Sequence, residues 1–384
     1  MIKVILGTRQ TSGWPEFAGS TWVRLQYLLG LQKLGADAYW VDRLKLVDPL
    51  KHHHSLDYLV RRFDRMARDF GFGDRYSIIY NGGERHFGMD RKRLDEVIED
   101  ADLLINISGH LSADSPLMRI PRRAYIDVDP GFTQIWAHEN DMGIEQHNFF
   151  FTVGQNVGGP GFTVPTGGVD WHPILPPVVL EEWPACIGDH YQRFSTVADW
   201  RGSQRAVFEG TNYGSKRDEF VRILRLPVLT KARMELALCL GPGDHEDLGL
   251  LHLHNWCIRD SAWYTGDPHS YREFIQNSRA EFSVAKSGYV RSSSGWVSDR
   301  TACYLASGKP VVAQATGYDW PVPSGKGVVT FRTLEEAVEA IEEVNSDYPA
   351  HCRAAREFAE EHFDSDKVLG FILDRVGLPS RADR

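Results

Sequence analysis

Residues 281–317, EFSVAKSGYVRSSSGWVSDRTACYLASGKPVVAQATG, alternate apolar and polar runs in a way that decides the fold. Phe282–Ala285 reads as a buried strand, and Pro310–Ala313 as a second one. Between them the run Arg291–Trp296 has no apolar periodicity and reads as a loop. Ser298 is a helix N-cap, because its short side chain can accept from the first free amides. Asp299 follows in the first turn, where a carboxylate suits the positive helix end. Ala302, Leu305 and Ala306 form the apolar stripe of that helix, and Gly308 ends it. Strand, small-residue loop, helix and strand make a βαβ unit. The loop before the helix is a ready anion site, with Lys286 and Arg291 adding positive charge beside it.

Working outward, the 384 residues suffice for two domains, each with its own core. With 42% hydrophobic and 25% charged residues, the bulk of the chain is expected to fold. A net charge of −9 argues against a nucleic-acid partner, which calls for a basic face. Five dispersed cysteines without CxxC spacing point to free thiols in a reducing cytoplasm, with no zinc site expected. The start, MIKVILG, opens a strand at once, and no apolar run nears the ~20 residues that span a bilayer.

The amino-terminal half repeats the βαβ pattern. Ile2–Leu6 reads as a buried parallel strand, followed by the Gly/Ser/Thr loop 7–20 and a helix carrying Trp22, Leu25, Leu28 and Leu31. The loop lacks GxGxxG, which counts against a dinucleotide-dependent dehydrogenase. His52, His53 and His54 point in different directions on a helix, so a solvated face is expected there, not a metal site. Asp102–Ile107 and Ala124–Val128 are strands, and their carboxyl ends deliver His110, Asp127 and Asp129 to the side where open α/β sheets bind ligands. In the second half, Glu209–Arg217 again sets small residues and the basic Lys216 and Arg217 before a helix. Residues 241–271 show no clear periodicity.

Two segments carry a resemblance. Cys303–Val312, CYLASGKPVV, resembles the EAMA-x-G-x-PVV segment of nucleotide-sugar glycosyltransferases of the GT-B fold, including the group-1 and CgeB-like branches. Phe162–Pro173, FTVPTGGVDWHP, resembles the VPNGVD segment that joins their two domains. The resemblance implies two Rossmann-like, doubly wound domains facing a cleft, with a boundary near residue 168 (1–168 acceptor domain, 169–384 donor domain). It also implies a last helix that crosses back to the first domain. It places the donor on Lys216, Arg217, Lys286, Arg291, Ser294, Gly295, Trp296, Ser298 and Asp299. His110 and Glu16 are the candidates for a catalytic base. The chain departs from the family where its two glutamates would stand, at Gly295 and Cys303, and Asp299 is the nearest carboxylate for the ribose. The expected activity is metal-independent sugar transfer from a nucleoside-diphospho-sugar to a small molecule or glycan. No cofactor is expected, and the linker and Pro-Val-Val segments look more like the retaining branch. A sugar-nucleotide epimerase or a non-catalytic relative of the same fold is the alternative.

Overall fold

The computed structural model describes residues 1–9, 11–47, 54–109, 111, 113–202, 205–241, 243–321 and 325–378. The first unit runs β1 (Lys3–Arg9), α1 (Ala18–Lys33), β2 (Asp37–Leu44), α2 (Leu56–Asp69), β3 (Tyr76–Tyr80), β4 (Arg85–Gly88), α3 (Arg91–Glu99), β5 (Leu103–Ile107), β6 (Arg123–Asp127), α4 (Phe132–Glu139), β7 (Phe149–Thr152) and β8 (His172–Pro173). These strands form one sheet in the order β4-β3-β2-β1-β5-β6-β7-β8, parallel except for β4. Val4, Ile5 and Leu6 are fully buried, as continuous apolar strands covered on both faces must be.

The second unit begins with β9 (Arg193–Asp199) and a hairpin of β10 (Ala206–Phe208) and β11 (Thr211–Tyr213). The hairpin turns through Glu209 and Gly210, both at positive φ, as a two-residue loop requires. There follow α5 (Lys216–Phe220), α6 (Leu226–Leu229), β12 (Arg233–Cys239), α7 (His245–Leu253), β13 (Cys257–Asp260), α8 (Ser261–Tyr264), α9 (Pro268–Gln276), β14 (Ala280–Ser283), α10 (Ser287–Ser292), α11 (Asp299–Ala306), β15 (Val311–Gln314) and β16 (Val328–Phe331). The all-parallel sheet is ordered β13-β12-β9-β14-β15-β16. Two sequence expectations change here. The stretch before Ser298 is not all loop, since it holds the short helix α10. The 241–271 region, which lacks periodicity, contains α7, β13, α8 and the start of α9.

Three closing helices, α12 (Leu334–Ser346), α13 (Tyr348–His362) and α14 (Ser365–Arg375), finish the chain. As expected, the last one returns to the first unit. The backbone of Val178 accepts from Ser365 and donates to Phe363, and Lys33 of α1 bridges Glu181 and Asp366. A close helix approach allows this return. A Cβ placed on Gly30 would sit 2.5 Å from Leu369 Cδ1 and 2.8 Å from Ser365 Cβ. Gly30→Leu should therefore destabilise the protein by about 1–3 kcal/mol through overpacking, despite leucine's better helix propensity. Denaturant unfolding would measure this, and unchanged stability would mean that α14 does not seat tightly on α1.

Candidate active-site cleft

A cleft of about 710 Å³ lies between the carboxyl ends of the two sheets. Its position follows from topology, because the strand order reverses at β1/β5 in one sheet and at β9/β14 in the other. On the first wall, Asp42 at the end of β2 organises the β1–α1 loop. Its buried carboxylate accepts from Thr8 Oγ1 (2.7 Å), Thr11 N (3.2 Å) and both Ser12 N and Oγ (2.9 and 2.5 Å). So held, the loop presents Glu16 to the cleft. Glu16 Oε2 is buried without a hydrogen-bond partner, and His54 Nε2 stands 3.8 Å away. Nearly two turns into α1, Arg24 Nη1 donates to Ser20 O (2.9 Å) and Ser20 Oγ (2.7 Å), while its Nε has no hydrogen-bond partner. Burial lowers the Arg24 pKa, against the pull of Asp42, Asp299 and Asp129.

Asp127 and Asp129 close the end of β6 in different ways. Asp127 is fully buried and accepts from Thr133, Gln134, Thr152 and the Asp129 amide, so it is a structural cap. Desolvation nevertheless raises its pKa. Asp129 instead reaches across to the second unit, pairing with Lys286 Nζ at 2.8 Å and accepting from the Tyr289 hydroxyl.

The second wall is richer in cations. A box between Ser215 and Asp218 caps α5 and sets Lys216 at its first position. Lys216 is buried, donates to the Val284 carbonyl, and lies 5.9 Å from the Trp296 ring centre. Desolvation first, then the charges of Arg300 and Lys286, push its pKa well below the usual lysine value. Ser298 caps α11 by accepting from Arg300 N at 3.2 Å. Asp299 lines the cleft beside it, with a pKa raised by burial. Arg300 bonds Glu281 (2.7 Å), the Val197 carbonyl (2.9 Å) and Ser283 Oγ (3.0 Å).

Of the residues singled out in the sequence, Glu16, Lys216, Lys286, Trp296, Ser298 and Asp299 meet in the cleft. Arg217 does not line it, because it forms a two-pronged pair with Asp247 (2.6 and 2.7 Å). Arg291 is exposed near the far end of α10 and is likewise absent from the lining. Ser294 and Gly295 are packed away, their carbonyls accepting from Asn156 N and Gln155 N, both at 3.1 Å. His110, together with His52 and His53, lies outside the described residues. Arg24, Tyr289 and Arg300 were not foreseen. Only Arg300 had a legible signal, a basic residue directly after the Ser298–Asp299 cap.

No family model and no curated protein matches the sequence. Solved structures do resemble it along its whole length. An alpha-glucosyltransferase in complex with UDP and a 13-mer DNA containing a central A:G mismatch is 13% identical, with 98% of this chain and 100% of that one covered at a TM-score of 0.58. HepE from Anabaena, in complex with UDP and glucose, is 11% identical over 98% and 100%, at 0.56. Sucrose-phosphate synthase from Thermosynechococcus elongatus is 10% identical over 98% and 99%, at 0.52. The chain has the GT-B fold of nucleotide-sugar glycosyltransferases.

The Arg217–Asp247 pair yields a stability test. The hydrogen bond from Arg217 is the main reason the Asp247 pKa is lowered, with burial opposing it and Trp200 and Arg201 assisting. A depressed carboxylate stabilises the fold above its unfolded pKa, near 3.9, and loses that contribution as pH falls through the folded value. Asp247→Asn should destabilise by about 1–3 kcal/mol at pH 7, since the arginines are partly exposed. In urea titrations the gap to wild type should shrink below about pH 4. A gap constant from pH 7 to 3 would refute this role.

Proposed function

We propose that the protein is a glycosyltransferase that moves a sugar from a nucleoside-diphospho-sugar held by the second unit to an acceptor held by the first. One observation carries the reading. Lys216 is a buried amine at the switch point of the second sheet, bonded among the described residues to the Val284 carbonyl, and the cations Arg300 and Lys286 act on it more strongly than the carboxylates of Glu281 and Asp299. Such a group is expensive to bury alone, and a diphosphate is the ligand that would restore its charge. A departing diphosphate needs developing negative charge stabilised, and preorganised cations in a water-poor cleft supply that directly. In this reading Lys216 and Lys286 grip the phosphates, with Ser298 at the α11 amino terminus, and Asp299 is left for donor hydroxyls. The protein's own cations then suffice without a metal.

Glu16 is the base or acceptor-orienting group in this scheme. Glu16 lines the cleft with an oxygen that accepts no hydrogen bond and has the His54 ring 3.8 Å away, and a carboxylate there can accept the acceptor hydroxyl's proton. His110 is proposed for the same task from its sequence position at the end of β5. The net charge of −9 favours a small-molecule or glycan acceptor over a nucleic acid. The linker and Pro-Val-Val resemblance favours retention of configuration.

A nucleoside diphosphate should raise the melting temperature by binding the native state. Lys216→Ala should weaken that binding by about 1.5–3 kcal/mol, whereas Arg291→Ala should leave it unchanged. If UDP, GDP, ADP and TDP at millimolar concentration all fail to shift the melting point, the donor reading is wrong.

The depressed Lys216 pKa gives the binding a pH signature. The free protein holds Lys216 less protonated than usual, and an arriving diphosphate pulls its pKa back up. Binding should then take up a proton, and affinity should fall as pH rises between the two values. Calorimetry in buffers of different ionisation heat would detect the uptake in wild type and its loss in Lys216→Met. No uptake anywhere between pH 6 and 10 would show that Lys216 does not meet the anion.

A further inference from the structure

A narrow side pocket of about 20 Å³ opens from the cleft between α1 and the start of α11, and shares Val23, Val128, Trp296 and Asp299 with it. That is room for one or two waters, or for a methyl group with its attachment in the mouth. Its other walls are apolar, supplied by Trp22, Val153 and the Pro176–Pro177 step. Two polar groups interrupt them. Tyr27 is almost wholly buried, and its hydroxyl has no hydrogen-bond partner. The Asp299 carboxylate meets its own backbone amide, and no side chain among the described residues bonds it. The two are close enough to feel each other's charge, yet they do not bond. Gln26, the remaining polar lining residue, is already engaged with Val179 N (2.7 Å) and Cys303 Sγ (3.7 Å). Buried polar groups are nearly always satisfied, so an unbonded hydroxyl and a carboxylate that no side chain meets, flanking one small apolar pocket, describe the shape of a ligand.

We propose that this side pocket receives the acetamido group of a sugar substrate, its methyl among Trp22, Val153 and Pro176, its carbonyl accepting from Tyr27 and its N–H donating to Asp299. A secondary amide has one donor, one acceptor and an apolar end, which matches the three features of the site. A plain sugar hydroxyl could satisfy one polar group but would leave the apolar end empty. The inference rests on the glycosyltransferase reading only in that a sugar occupies the cleft. The group can reside on the transferred sugar or on the acceptor.

Both sources can be tested on the full chain. Dissociation constants would be compared for UDP-N-acetylglucosamine against UDP-glucose, and for N-acetylglucosamine against glucose with UDP present. One of the two pairs should favour the acetylated member by at least ~10-fold, because a site built to bond a polar group rejects the analogue lacking it. Tyr27→Phe should reduce that preference to within about threefold while keeping UDP affinity. Its melting temperature should not fall, since the hydroxyl it loses bonds nothing in the free protein. Saturation-transfer NMR should place the acetyl methyl closest to the protein. Equal affinity within both pairs, or a preference that Tyr27→Phe does not move, overturns the proposal even where UDP binds well. Conversely, a Tyr27-dependent acetyl contact without any UDP binding would sink the nucleotide reading and leave the pocket standing.

Discussion

The buried pair between Glu281 and Arg300 sets the geometry on which the second wall depends. Glu281 is fully enclosed on β14 and would be intolerable there without a partner. Arg300 supplies one oxygen's bond and Thr301 Oγ1 the other's, at 2.6 Å. Burial is the largest single influence and depresses the Arg300 pKa, but Glu281, Tyr271, Tyr304 and Asp299 together outweigh it and the net shift is upward. The guanidinium also reaches Val197 on β9 and Ser283 on β14, so one side chain ties two neighbouring strands to the first turn of α11. Ser298 and Asp299 therefore stand where they do because their neighbour is locked. Removing either member of such a pair leaves an uncompensated charge inside the sheet, which is why the cap cannot drift without unfolding around it.

A second constraint fixes how the two units face each other. The loop 293–297 looks like an anion cradle in sequence, yet its carbonyls serve the first unit. Gln155 and Asn156 donate their amides to it, and the Asn156 side chain adds bonds to Ser293 O (3.2 Å) and Gly317 O (2.8 Å). Gly295 is needed there at φ +67°, because a Cβ would come within 2.9 Å of Asn156 N. With the loop used as a junction, the cations that line the cleft are side chains on either side of it. Lys216 and Lys286 line the cleft from the starts of α5 and α10.

The fold was legible because parallel strands buried on both faces leave unbroken apolar runs, as at Val4–Leu6 and Val311–Val312. What failed was short or set by distant partners. Helix α10 has six residues, two of them serines and one a glycine, and its propensity is poor. Packing creates it, since a Cβ on Gly288 would collide with the Phe132 ring. Lys216 and Arg217 could not be separated in sequence, because adjacent positions on a helix point about 100° apart and the deciding partner, Asp247, lies 30 residues on. Cys303, at the place of an expected glutamate, is likewise explained only in space. It is buried against Gln26 of α1, where a carboxylate would face burial and the like charges of Asp299 and Glu281.

The distribution of unmet hydrogen bonds carries the argument from fold to site. Thr11 Oγ1, Glu16 Oε2, Arg24 Nε and Tyr27 Oη are all buried without partners, and all four belong to one turn-and-helix segment lining the cleft or its side pockets. Such groups lower stability by roughly 1–3 kcal/mol each when nothing meets them. Beside them, Asp42 alone gathers four donors. A segment that satisfies its anchor so fully and its cleft face so poorly is shaped by something other than its own stability. Opposite it stand a desolvated lysine and a desolvated carboxylate, Lys216 and Asp299, whose charged forms burial disfavours in the same way. Both walls are thus complementary to a polar occupant more than to each other, and this mismatch between them, not any single motif, marks the cleft as the candidate functional site.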